Sequence, residues 1–453
     1  MKYSIYLPIC VLLSSCTVIP DQSYHKVNCS IVDSCTTEEL NNYSKPVNNL
    51  GIVNGWSAND ISNKNELEKR GNKFYETSFK LQYLEYDESG NKFEKNRQLD
   101  VINNAIENSK KPVYLVVFIH GWHNNASIDP ENRSLDTTGF PYLLARRSYQ
   151  NPNMNVIGVY VGWRGEKYKH APASLLSIKD RAHIADIIGQ KGQVRNDIIT
   201  MVNNVQKNSK SGYSLLVGHS LGGRLLSRAF LNDMIHTKTL KDWPLGENSL
   251  LVTLNPAIGA DAFDTIYKNM PGIDQNLERP LWLNLTSKDD WSTARLFPSA
   301  RFIGQNVTDD PISGKKQTIG HYIPYLSHEV TVVYGFDTKP KCNFINPEEI
   351  IQNNVPWFKI PSKVKDACAT RHLYVYPDFD VKGKYYTSVL RPLDESPNRP
   401  LGFLWNFRVD SSIIDYSLDE AKINKSSGVH NAFVQTTLGR MLDEMLFTPP
   451  TKD

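Results

Sequence analysis

Residues 213–230 read Tyr213-Ser-Leu-Leu-Val-Gly-His-Ser-Leu-Gly-Gly-Arg-Leu-Leu-Ser-Arg-Ala-Phe230. An apolar run, Leu215, Leu216 and Val217, meets a turn with glycine on both sides of a hydroxyl, Gly218-His219-Ser220-Leu221-Gly222. Beyond it Leu221, Leu225, Ala229 and Phe230 recur at helical spacing. The pattern predicts a buried strand, a sharp turn and a helix. A serine hydroxyl attacks a carbonyl well only where it projects clear of the backbone and a base can reach it. A tight strand-to-helix turn supplies both, at the cost of strained dihedrals. Gly218 and Gly222 carry no Cβ, so neighbouring elements can approach closely. The helix that starts here presents free N–H groups and a positive dipole end to a developing oxyanion. A bare G-x-S-x-G arises by chance in roughly 0.15 of chains this long. The weight therefore lies in the strand before it and the helix after it.

The flanking sequence repeats the same grammar. Val113-Tyr-Leu-Val-Val-Phe-Ile119 is continuously apolar, as a central parallel strand should be, and leads into His120-Gly121-Trp122-His123-Asn124-Asn125. A second strand, Asn155 to Trp163, places Trp163 and Arg164 at its C-terminal end, where open α/β sheets bind ligands. A long helical pattern covers 180–207, and 73–95 reads as a hairpin turning at Asp87-Glu-Ser-Gly-Asn91. Further strands are predicted at 249–254, 281–286 and 401–409, and an amphipathic helix at 431–447. Alternating strands and helices of this kind predict an α/β fold.

The Gly-His-Ser-Leu-Gly-Gly form at 218–223 resembles the lipases and esterases of the α/β-hydrolase superfamily, and the resemblance extends over about residues 75–295 and 400–453. It implies a mostly parallel central sheet flanked by helices, with a large insertion between the last two strands. It also implies a serine hydrolase that cleaves carboxylic esters through an acyl-enzyme without metal or organic cofactor. In that reading Ser220 is the nucleophile. The acid follows the penultimate strand in Ser287-Lys288-Asp289-Asp290, with Asp290 preferred, Asp289 its neighbouring alternative, and Asp261 and Asp264 further ones. The base lies between the last strand and the last helix at His430, with His321 and His328 as alternatives. The order Ser, acid, His is the family's order. The resemblance assigns the oxyanion N–H groups to Trp122 and Leu221, and makes His120, Gly121, His219 and Trp163 candidate pocket residues. His120 is read there as a hydrogen-bonding support rather than as the base. A thioesterase or peptidase on the same triad, and a non-catalytic envelope protein using the fold as a binding scaffold, stay open.

The N-terminus has one basic residue, a short apolar centre and small residues before Cys16. Leu13-Ser14-Ser15-Cys16 resembles the bacterial lipobox, whose cysteine becomes the acylated N-terminus, with an ordinary cleaved signal peptide as the alternative. Thr17, rather than an aspartate, then favours the outer membrane by resemblance to bacterial sorting. The division expected is 1–15 signal peptide, 16–70 tether and irregular arm, 71–296 and 400–453 core, and 297–399 an insertion that is a candidate cap. Setting aside Cys10 and Cys16 leaves four cysteines, and the local pairings Cys29–Cys35 and Cys342–Cys368 are preferred among three. With no C-x-x-C or H-E-x-x-H, no metal site is expected. The near balance of 51 basic and 48 acidic side chains argues against a nucleic-acid partner. The partners expected are an ester substrate, lipid among the candidates, and the membrane that holds the acylated cysteine.

Overall fold

The computed structural model describes residues 18–30, 35–53, 56–57, 74–127, 135–168, 177–209, 211–270, 277, 279–296, 317–333, 374–379, 385–392, 402–409 and 436–450. The strands are β1 Val47–Val53, β2 Trp56–Ser57, β3 Phe74–Glu85, β4 Val113–Ile119, β5 Asn155–Gly162, β6 Tyr213–His219, β7 Ser249–Leu254, β8 Trp282–Ser287, β9 His328–Val333, β10 Tyr374–Phe379, β11 Tyr385–Pro392 and β12 Leu404–Val409. Their order across the sheet is β10-β11-β9-β12-β8-β7-β6-β4-β5-β3-β1-β2. The eight strands from β9 to β3 in that order are all parallel, and the outer pairs at both edges are antiparallel.

Helices cover both faces, which is why β4 can be apolar at every position. They are α1 Thr37–Tyr43, α2 Arg97–Glu107, α3 Leu135–Gln150, α4 Ile178–Gln190, α5 Gln193–Asn208, α6 Leu221–His236, α7 Asp264–Asn269 and α8 Thr436–Phe447. Successive strand side chains point to opposite faces. Val113, Leu115, Val117 and Ile119 therefore join one core layer with α2, α4, α5 and α6. Tyr114, Val116 and Phe118 join the other with α3 and α8. Leu438, Met441, Leu442, Met445 and Leu446 of α8 are buried at three- and four-residue spacing, as an amphipathic helix requires.

The chain reverses direction around β4. From β4 it moves outward to β5, then crosses back over β4 to β6 and continues the other way. That reversal falls at the C-terminal ends of β4 and β6, the position where α/β sheets bind ligands.

Several expectations are refined. The helical pattern at 180–207 is two helices, because Lys191-Gly192 breaks it and Gly192 takes φ 83°. The hairpin expected at 73–95 is instead a twelve-residue strand, β3, that pairs in parallel with β5. Only the bridge Tyr86↔Lys92 returns along it. Asp87 Oδ1 closes that turn by accepting from the N–H groups of Ser89 (2.9 Å) and Asn91 (2.8 Å). The described strands of the 297–399 segment do not form a separate layer. β9, β10 and β11 extend the sheet past β12, covering an edge that would otherwise expose unpaired N–H and C=O groups.

The N-terminal arm is docked along its described length. The buried Glu85 carboxylate accepts from Ser23 Oγ (2.9 Å), Tyr24 N–H (2.8 Å) and His25 N–H (2.8 Å). The His25 ring stacks on Tyr83 at 3.3 Å between centroids, and Ile19 and Val27 are buried. The capping box of Thr36 and Glu39 starts α1, and β1 pairs with β3. Cys29 and Cys35 form a disulfide, while Cys16, Cys342 and Cys368 lie outside the described residues. Among the described residues no helix is long and apolar enough to cross a membrane.

Candidate active site

Ser220 stands between β6 and α6 with φ 54° and ψ −119°, a region non-glycine residues rarely enter. Neighbouring strands hold it there. Its N–H donates to Leu254 O (3.0 Å), and its carbonyl accepts from the N–H groups of Arg224 (3.1 Å) and Ala257 (3.1 Å). The glycines of the motif are spatially obligatory. A Cβ on Gly222 would collide with the carbonyl oxygens of Ile119 and His120 at the end of β4. One on Gly218 would sit 2.7 Å from Gly222 O. The backbone of Gly121 comes as close from the other side: a Cβ there would lie 2.8 Å from the Ser220 Cβ. The 120–125 loop is thus set directly against Ser220.

That loop is rigidly held. His120 is fully buried, with Nδ1–H donating to Gly121 O (3.0 Å) and Nε2 accepting from Trp163 N–H (3.1 Å). The Trp163 indole donates back to His120 O (3.0 Å), and the two rings stack 4° from parallel. Both ring nitrogens of His120 are thus engaged with the backbone of the loop and of Trp163. Trp163 is buried against His120. His123, at φ 63°, donates its N–H to Gly165 O (3.2 Å), and Asn124 Nδ2 donates to Trp122 O (3.1 Å). Among the described residues neither the Trp122 N–H nor the Leu221 N–H has a hydrogen-bond partner. Leu221 is the first residue of α6, so its N–H is one of the helix's unsatisfied donors. His219 is buried in β6 directly before the turn.

Helix α6 is tied to α4 by a buried ion pair that sequence reading missed. Arg224 Nε and Nη2 donate to the two oxygens of Asp186 (2.8 and 2.5 Å), and Arg228 Nε adds a third bond (2.8 Å). Arg224 also donates to Ala257 O (3.2 Å), so the same side chain braces the turn after β7. No family model matches this chain, and no curated protein matches it.

The turn after β8, two strands away from β6, carries Asp289 and Asp290. Asp290 is buried and Asp289 exposed, which separates the two neighbours. Asp290 Oδ1 accepts from Ser292 N–H (3.0 Å), and Oδ2 accepts a short bond from the Thr293 hydroxyl. That hydroxyl in turn accepts from His321 Nε2–H (3.1 Å). Burial pushes the His321 pKa below the ordinary histidine value, Asp290 opposes the shift and Arg408 reinforces it. Asp264 accepts from the Tyr325 hydroxyl (2.7 Å), and Asp261 lies near it in the turn before α7. His328 is buried against Trp405 and Phe407, with Nδ1 at 3.0 Å from Ser327 Oγ.

A polar ladder through the sheet supports this turn. The Thr253 hydroxyl donates to Asn284 Oδ1 (2.9 Å), and the Asn284 amide donates to Asn406 Oδ1. The Asn406 amide continues to the carbonyls of Ile319 (2.9 Å) and Tyr325 (3.2 Å). Asn255, at φ 43°, accepts from Ser287 N–H (2.9 Å) and ties the ends of β7 and β8. A Cβ at Gly320 would collide with the Thr286 side chain, so the segment carrying His321 lies flush on β8.

His430 lies outside the described residues, but the elements on either side of it are described. β12 ends at Val409, whose carbonyl accepts from Lys288 N–H (3.0 Å) at the C-terminal end of β8. α8 finishes at the opposite edge, where buried Arg279 donates to Thr448 O (2.6 Å) and Ser249 O (3.0 Å). Twelve helical residues span about 18 Å, close to the length of a six-residue strand. Thr436, where α8 begins, is therefore back at the C-terminal edge. Among the described residues no group of three His, Cys, Asp or Glu side chains is placed to hold a metal ion.

Proposed function

We propose that the protein is a serine hydrolase of the α/β-hydrolase type that cleaves carboxylic esters, held to the bacterial envelope by an acylated Cys16. The observation that carries the proposal is the strained turn at Ser220 with the Gly121 backbone against it. Strain of this kind concentrates at functional sites.

Ser220 Oγ attacks the ester carbonyl carbon as the imidazole of His430 takes its proton. The oxygen, now negative, is held by the N–H groups of Trp122 and Leu221. Collapse of the tetrahedral species expels the alcohol, which receives the proton from His430, and leaves an acyl-enzyme. Water, deprotonated by the same imidazole, then releases the carboxylic acid and restores Ser220. Asp290 orients His430 and stabilises the imidazolium. The burial of Asp290 suits that task, and its bonds from Ser292 and Thr293 fix its direction. His321 is engaged with Asp290 through Thr293, so it serves as a support for the acid.

Hydrolysis of a short p-nitrophenyl ester by three variants tests the assignment. Ser220→Ala and His430→Ala are expected to lose about 10⁴-fold or more in kcat, as removal of a triad member does. His321→Ala is expected to retain most activity. The reverse order for the two histidines would move the base to His321, and activity retained in Ser220→Ala would reject the mechanism.

A further inference from the structure

We infer that the C-terminal rim of the sheet, with the Ser220 crevice at its centre, lies against a lipid bilayer, so that the substrate is an ester presented at the membrane surface. The inference rests on the reading of Cys16 as the acylated residue. The arm downstream of it is fixed almost at once. Val18 pairs with Tyr168, Ile19 N–H donates to Lys167 O (3.0 Å), and Arg164 Nη1 donates to Ile19 O (2.8 Å). Residues 163–168 emerge from the C-terminal end of β5. One residue, Thr17, separates Cys16 from Val18, and the two steps of an extended chain cover at most about 7 Å. Acyl chains on Cys16 would therefore pin this rim to the bilayer, leaving no linker on which the body could turn away.

The exposed apolar side chains point the same way. Among the described residues the large hydrophobics with the greatest exposure are Trp291 at 55%, Val18 at 52% and Ile323 at 49%. Trp291 follows Asp290 at the C-terminal end of β8. Ile323 opens the turn after His321, which bonds to Thr293 on the same rim. Singly exposed apolar residues are ordinary on protein surfaces. What distinguishes these three is their shared edge with the anchor. β5 and β8 are four strand steps apart, about 19 Å, with β4 and β6 between them. Val18 thus stands on one side of the crevice, and Trp291 and Ile323 on the other. Tryptophan suits a membrane interface because its ring is apolar and its N–H stays hydrated.

The test uses the full acylated chain on phosphatidylcholine vesicles with and without brominated acyl chains, read by tryptophan fluorescence. Trp291→Phe subtracts the rim reporter. Trp291→Phe/Tyr149→Trp places a reporter at the other edge, since Tyr149 sits at the end of α3 just before β5 begins. The Trp291 component is expected to be quenched at least about twofold more than the residue-149 component, as for a ring about 5–10 Å into the headgroup boundary. Equal quenching, stronger quenching at 149, or a mature chain without acyl groups on Cys16 overturns the inference. Fluorophosphonate labelling of the same preparation reports on the hydrolase reading separately. Labelling without rim quenching rejects the membrane orientation alone; quenching without labelling rejects the hydrolase and with it the ester substrate, and supports the orientation.

Discussion

The two sides of the proposed active site, the nucleophile side at Ser220 and the acid side at Asp290, are built by different means. On the nucleophile side, β4, β6 and α6 meet through backbone, and three glycines, Gly121, Gly218 and Gly222, remove the atoms that would keep them apart. On the acid side, β7, β8, β12 and residues 317–328 meet through the buried polar side chains of Thr253, Asn284, Asn406 and Thr293 and through the half-buried His321. Backbone packing of the first kind is written in contiguous residues. A network of the second kind exists only when distant segments arrive together; the Asn284–Asn406 bond joins positions 122 apart. The nucleophile side should therefore fail abruptly under a single added methyl group, and the acid side by loss of hydrogen-bond partners.

The largest expected effect is that of Gly222→Ala. Its methyl group meets two carbonyl oxygens that cannot move without shifting β4, so a loss of about 3 kcal/mol is expected, at the upper end of overpacking costs. Urea unfolding measures it. A neutral result would mean that the close approach at the elbow is not a constraint. Next is Asn406→Leu, which strands the Asn284 amide and removes donors from Ile319 O and Tyr325 O. About 2–3 kcal/mol is expected from buried groups left unsatisfied. The double variant with Asn284→Leu should cost less than the sum of the two singles, because each strands the other's partner. Additive losses would show that the ladder does not act as a unit.

A smaller effect is expected from acid. His321 on the acid side and His25 on the arm both have pKa values depressed by burial below the ordinary 6.5. Between 6.5 and the lower folded values the unfolded chain binds more protons than the folded one. Stability is therefore full above about pH 6.5 and falls as pH drops through that window, by at most about 1.4 kcal/mol per pH unit for each group. His321→Asn should flatten the slope, and an unchanged slope would show that His321 is as easily protonated folded as unfolded. The smallest effect is that of Gly192→Ala at the α4–α5 break. No atom lies within 4 Å of the added Cβ, so only the cost of φ 83° remains, about 1 kcal/mol. A loss as large as that of Gly222→Ala would erase the distinction between steric and conformational demands.

The uneven construction also explains what was legible in the sequence. β4, β6 and α6 could be read from apolar runs and the glycines around Ser220, because the residues that form them are also those that constrain them. The preference for Asp290 over Asp289 comes from resemblance to the family's spacing; the sequence carries no sign that the first is buried and the second exposed. Thr293, Asn406 and the Asp186–Arg224 pair carried no signal, since each is an ordinary polar residue until its partner arrives from another segment. The N-terminal arm was read as irregular because its hydrogen bonds go to the Glu85 side chain and leave no periodicity in the arm itself. The break at Gly192 was hidden because apolar residues keep helical spacing on both sides of it.

The central claim is that the strained hydroxyl at the end of β6 is a nucleophile. Treating the folded protein with a fluorophosphonate probe and mapping the adduct by mass spectrometry tests it most directly. The account predicts one stoichiometric adduct on the peptide carrying Ser220, absent in Ser220→Ala and lost when the protein is unfolded before treatment. Labelling that persists in Ser220→Ala, or a folded wild-type protein that takes up no probe, would contradict it.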